Sequence, residues 1–169
     1  TPNMFERQLL DLFHSRSGTD LRDLEAARIP AGAKQLLKEL VLVSKQVVAE
    51  AQPEINRPGS GLKEFIPAIF GARVATRFTE RTNVRLKQTA LAPRNPLNAP
   101  DTVERTALEA FADSSYPREK VISEVTAKSG SLRLMFPLYT TRKCLDCHGD
   151  PIGELDRTGY PREGLKLGQ

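Results

Sequence analysis

The sequence predicts an α+β fold, and three observations carry that reading. Apolar residues repeat at helical spacing over most of the first 80 positions, the period shortens to two beyond residue 81, and Ser129-Gly130 separates two alternating runs. No internal repeat or low-complexity tract interrupts this order. A chain of 169 residues reads as one domain with a helical extension, divided here as 1–32 and 33–169. At that size folding hides roughly 70% of the unfolded surface, so a core forms without a disulfide framework.

The first helix is expected over residues 3–16, where Phe5, Leu9, Leu12 and Phe13 share one face. Gly18, Asp20 and Pro30-Ala31-Gly32 break the pattern. Residues 33–51 form the clearest helix, with Leu36, Leu37, Leu40, Val41, Val43, Val47 and Val48 on a wide apolar stripe. Pro53 and the Pro58-Gly59-Ser60-Gly61 segment should end it. Helical spacing returns over 62–80, turning Phe65, Ile66, Ile69, Phe70, Val74 and Phe78 inward, with Pro67 in the first turn. Arg73, Arg77 and Arg81 line the other side.

Residues 83–91 alternate as a strand would, and three prolines stiffen the loop from Pro93 to Pro100. Asp101 followed by Glu104 reads as a capping box for a helix that buries Val103, Ala107, Leu108 and Phe111. The runs 121–128 and 131–139 read as a hairpin around a two-residue turn. In its second arm Leu132, Leu134, Phe136 and Leu138 share a face that Arg133, Met135 and Tyr139 do not. No apolar run reaches the roughly 18 residues that span a bilayer. The chain starts at Thr1 without initiator methionine or signal pattern, so a leader has been removed or a longer protein precedes it.

Composition excludes some partners. Net charge is +4, and aromatics are 6% of the chain with no tryptophan, which argues against a base-stacking nucleic-acid module. Six basic residues and one acid between Arg73 and Arg94 give a local balance of +5. That stripe suits an acidic group or partner.

Cysteine usage is the specific signal. The only two cysteines, Cys144 and Cys147, precede one of only two histidines, His148, in Cys144-Leu145-Asp146-Cys147-His148. Cys-x-x-Cys-His is the attachment signature of haem c. Two intervening residues let the thiols reach two vinyl groups on one porphyrin edge, and the next residue brings an imidazole to iron as the proximal ligand. A carbonyl from the Gly149-Asp150-Pro151 turn is expected to hold the Nδ1–H. Two other readings are weaker. A Cys-x-x-Cys disulfide lacks the strand that leads into a thioredoxin helix. A zinc site needs four ligands, and His14 lies far away.

Three segments carry a further resemblance: Leu86-Lys87-Gln88-Thr89, Arg94-Asn95-Pro96-Leu97-Asn98-Ala99-Pro100-Asp101, and Cys144 through Pro151. With Gly61 to Pro67 and Thr158 to Gly164, they resemble a family of extracytoplasmic c-type haem domains over roughly residues 35–169. That family occurs alone, as in a cyanobacterial relative, or as the input domain of bacterial histidine kinases, cyclic-di-nucleotide enzymes and chemoreceptors. The resemblance implies a PAS-like antiparallel sheet, with Cys144 and Cys147 as thioether anchors and His148 as the iron ligand. It implies a periplasmic location, with any membrane anchor in segments outside this chain. Some relatives bring a cysteine from the long helix to the other side of iron, and this chain has no third cysteine. Ser44, central on the long helix, reads either as a core serine or as lining the distal pocket. The family continues past Leu167-Gly168 into another strand that completes the sheet; this chain stops at Gln169, so either it is cut there or that strand is missing.

The surplus of positive charge suggests that the region from Arg73 to Arg94 meets the haem propionates, with Arg94 and Asn95 as the foremost candidates. For Arg73 and Arg77 a solvated basic face is the expected reading. The sixth ligand decides function. His14, Met4, Met135 or a lysine is available, and an open or water-held site is the leading expectation. A sensor of redox state, nitric oxide or carbon monoxide is expected first, and an electron-transfer cytochrome second. An enzyme is not expected. The amino-terminal helices also offer faces for a homodimer.

Overall fold

The computed structural model describes residues 2–58, 65–126 and 130–169. The chain divides into two compact units, residues 1–88 and 89–169. The expected division at 32/33 thus falls inside the first unit, where the first helix packs on the second.

The first unit is helical: α1 (Pro2–Ser17), α2 (Ala31–Ile55) and α3 (Pro67–Thr82), with a 3-10 turn at Leu21–Asp23. Val43 and Val47 of α2 pack with Val74 and Phe78 of α3, flanked by Leu36, Leu40, Phe65 and Phe70. Phe5 of α1 meets the edge of Phe70 at 5.4 Å. The helical spacing is therefore realised as a three-helix layer whose buried stripe follows the 3.6-residue period. Ion pairs fix the outer faces: Lys45–Glu6 and Arg81–Glu39 at 2.6 Å, and a two-pronged Arg77–Glu50 contact at 2.7 and 2.5 Å. The expected helix start at 62 and part of the 58–61 loop lie outside the described residues.

Two elements differ from the sequence expectation. α2 does not stop before Pro53 but runs two residues beyond it. Proline removes one backbone donor, and Ala49, whose carbonyl loses its partner, is exposed; Asn56 N–H still bonds Gln52 O at 2.9 Å. Residues 83–91 form no strand. Asn83 caps α3 in the left-handed region at φ 59°, and the following donors go to hydroxyls, Val84 N–H to Thr82 Oγ1 at 3.2 Å and Leu86 N–H to Thr79 Oγ1 at 3.4 Å. Alternation without a ladder partner makes extended chain only.

The second unit holds α4 (Thr102–Ala112), β1 (Ile122–Thr126), β2 (Ser131–Met135) and α5 (Arg142–His148), with a 3-10 turn at Pro96–Asn98. The capping box forms: Glu104 N–H donates to Asp101 Oδ1 and Asp101 N–H to Glu104 Oε2, both at 2.9 Å. Phe111 and Ala107 are buried, and Tyr116 stands edge-on to Phe111 at 5.3 Å.

β1 and β2 pair antiparallel from Ile122↔Met135 to Thr126↔Ser131. Ser131 pairs with Thr126, a register other than the one that would place Ser129-Gly130 in a two-residue turn, and residues 127–129 lie outside the described residues; Gly130, at φ 64°, donates to Thr126 O at 2.8 Å. This hairpin is the only sheet among the described residues, so α+β holds, and the described strands do not show the PAS-like sheet expected from the resemblance. No described helix is long and apolar enough to cross a membrane.

Candidate haem-attachment site

β2 ends at Met135, and residues 136–141 lead into α5. Thr141 N-caps this helix, with its Oγ1 3.2 Å from Cys144 Sγ. Both cysteines are free thiols and half-buried, on successive turns of one helix. His148 is the last residue of α5, and Gly149 follows because nothing larger fits: a Cβ there would stand 2.7 Å from Leu145 O.

Beyond α5 the chain doubles back. Asp156 N–H bonds Tyr160 O at 2.8 Å and Arg162 N–H bonds Glu154 O at 2.9 Å, closing a small antiparallel loop. Leu165 N–H then reaches His148 O at 2.8 Å. This return brings Glu163 beside the histidine, with Oε2 2.9 Å from His148 Nδ1. The Nδ1 partner is therefore a carboxylate fifteen residues on, not the expected turn carbonyl, because the 149–151 turn leads away into the return loop.

Arg94 joins these pieces. Its guanidinium donates to Asp156 Oδ2 and to Cys147 O at 2.7 Å, to Glu163 Oε2 at 2.9 Å and to Pro161 O at 3.3 Å, and Nε pairs with Glu163 Oε1. The fork expected at a propionate is engaged by these protein acceptors. Asp156 is fully enclosed and also accepts from Thr158 N–H at 2.7 Å, Thr158 Oγ1 at 2.6 Å and Tyr160 N–H at 3.1 Å. The Thr158 hydroxyl and the Arg94 guanidinium hold the Asp156 carboxyl far below the usual range, against its burial. Burial opposes the charge on Glu163, and the Arg94 and His148 hydrogen bonds outweigh it, so that carboxyl too is lowered. Glu163 raises the Arg94 guanidinium further still.

The other candidates lie elsewhere. Asn95 caps the 96–98 turn by accepting from Leu97 N–H at 3.0 Å. Ser44 is buried in the first unit, among the core valines of α2. His14 is exposed in the last turn of α1, and Met4 is exposed near its start. Met135 is half-buried opposite Ile122 on β2. Arg77 and Arg81 are paired with the α2 carboxylates Glu50 and Glu39.

Glu163 lies in the Thr158–Gly164 segment that carries part of the resemblance, but nothing in the sequence marks it or Asp156 as a partner of His148 or Arg94. Asp156-Arg157-Thr158-Gly159 does carry an Asx-turn signature, with Gly159 at φ 81°, and that signal announces a built loop without naming its partner.

The residues suit haem c. Two free thiols stand on one helix, His148 has its Nδ1 engaged so that Nε2 is the nitrogen left for iron, and a run of apolar side chains leads to the helix. Leu132, Leu134, Phe136 and Leu138 are 61–74% exposed, an apolar surface such as a porphyrin covers.

No curated protein and no solved structure matches the chain. The family model of Tll0287-like proteins, a cyanobacterial c-type haem protein family, matches residues 22–169, which takes in every segment of the site just described. The chain belongs to the Tll0287-like family.

Proposed function

We propose that this is an extracytoplasmic, non-enzymatic haem c protein that senses redox state or a small gas such as nitric oxide or carbon monoxide. Cys144 and Cys147 carry the thioether links and His148 is the axial ligand. The observation that carries the sensing reading is the arrangement on β2. Leu134 and Phe136 are exposed on the apolar side, whereas Met135 is half-buried opposite Ile122. If that apolar side receives the porphyrin, the strand's methionine points away from it.

With Met135 turned aside and no third cysteine, the distal side is held weakly and can exchange ligands. A sensor needs such a site, because a ligand shifts an equilibrium only through differential affinity for two states. The PAS-like and signalling part of the reading rests on the resemblance of the Arg94–Asp101 and Cys144–Pro151 segments.

Absorption spectra of the ferrous protein with and without carbon monoxide test this. A shifted Soret band at neutral pH is expected. A six-coordinate low-spin spectrum unchanged by saturating carbon monoxide would assign the protein to electron transfer instead.

A further inference from the structure

We propose that Glu163 is the positioning residue of the axial histidine: its carboxylate accepts the His148 Nδ1–H and makes the imidazole a stronger donor, while Arg94 clamps the carboxylate in place. This rests on the haem c reading of Cys144, Cys147 and His148. The geometry is complete on the protein side. Glu163 Oε2 lies 2.9 Å from Nδ1, and both its oxygens are also engaged by Arg94. Arg94 in turn is fixed to enclosed Asp156 and to Cys147 O, the carbonyl just before the histidine. Ring orientation, helix end and carboxylate are thus parts of one network.

A carboxylate is a stronger acceptor than a carbonyl, so it leaves more electron density on the ring and favours ferric over ferrous iron. Arg94 moderates this by sharing the carboxylate's charge. Glu163 thereby sets the reduction potential low through the ligand rather than through the distal side.

The test is a redox titration of holoprotein matured with covalent haem, comparing wild type with Glu163→Gln, Glu163→Asp and Glu154→Gln. Glu163→Gln removes the charge but keeps an acceptor. Glu163→Asp keeps the charge and withdraws the carboxylate by about 1.5 Å, which takes the 2.9 Å contact out of hydrogen-bond range. Glu154, exposed on the same return loop, controls for charge alone.

Both Glu163 variants should raise the potential by at least a tenfold change in the ferrous/ferric ratio, ~59 mV for one electron, and Glu154→Gln should leave it unmoved. A ferrous/ferric ratio within twofold of wild type for the Glu163 variants, or an equal shift for Glu154→Gln, would overturn the proposal. Should Glu163→Gln fail to fold, Glu163→Asp carries the test. The iron–histidine stretch of the wild-type ferrous protein by resonance Raman carries it without a variant: a high, carboxylate-type frequency is expected, and a carbonyl-type frequency refutes it. Wild type without covalent haem would sink the underlying reading; haem present with unmoved potentials would sink this inference alone.

Discussion

Replacing Arg94 by alanine should unfasten the second unit. The side chain is 22% exposed and makes contacts to two carboxylates and two carbonyls that are 53 to 69 residues away in sequence. Net contributions are roughly 1.5–3 kcal/mol for a hydrogen bond to a charged group and about 1 kcal/mol for a neutral one. Bonds sharing one guanidinium are not additive, and the fork is partly solvated, so the expected total loss is about 3 kcal/mol. For a unit the size of residues 89–169, roughly 4–8 °C is lost per kcal/mol, so melting should fall by about 12 °C or more. All three tyrosines, Tyr116, Tyr139 and Tyr160, lie in this unit and there is no tryptophan, so tyrosine emission reports its unfolding alone. Arg94→Lys keeps the charge but loses the fork, and should recover about half of the loss. A drop under about 3 °C for Arg94→Ala would refute the reasoning.

The same unit should be acid-sensitive. Asp156 and Glu163 have folded pKa values below their unfolded ones, ~3.9 and ~4.3, so their stabilisation is full above those values and is lost as pH falls through the folded values. Tyrosine-monitored melting should be flat from about pH 7 to 5 and fall below about pH 4, and Asp156→Asn should flatten that fall. Asp101→Ala removes the Glu104 N–H acceptor at the start of α4 and should cost about 1 kcal/mol, read as a lower melting temperature by circular dichroism.

What was legible in the sequence follows the range of the interactions. The three long helices announce themselves because a 3.6-residue apolar period is local, and the Asp101–Glu104 box because its partners are three residues apart. The 83–91 segment alternates like a strand, yet pairing needs a second chain segment that periodicity cannot supply. The hairpin is legible and its register is not, since Ser131 pairs with Thr126, which a two-residue Ser129-Gly130 turn would not give. The cysteine–histidine motif is fixed by covalent chemistry and stands out at once. Arg94 stands out through its proline-bounded loop, but its partners Asp156 and Glu163 are 62 and 69 residues away, so its role emerges only in three dimensions. Glu163 carries no local signal as a histidine partner.

Every functional expectation for this protein depends on covalent haem at Cys144 and Cys147. Mass spectrometry of the denatured chain, produced with periplasmic haem maturation, tests it most directly. A chain heavier by one haem is expected, whose colour stays with the protein through acid–acetone extraction, with no such adduct once both cysteines are serine. An unmodified chain, with all haem extracted into the solvent, would contradict it.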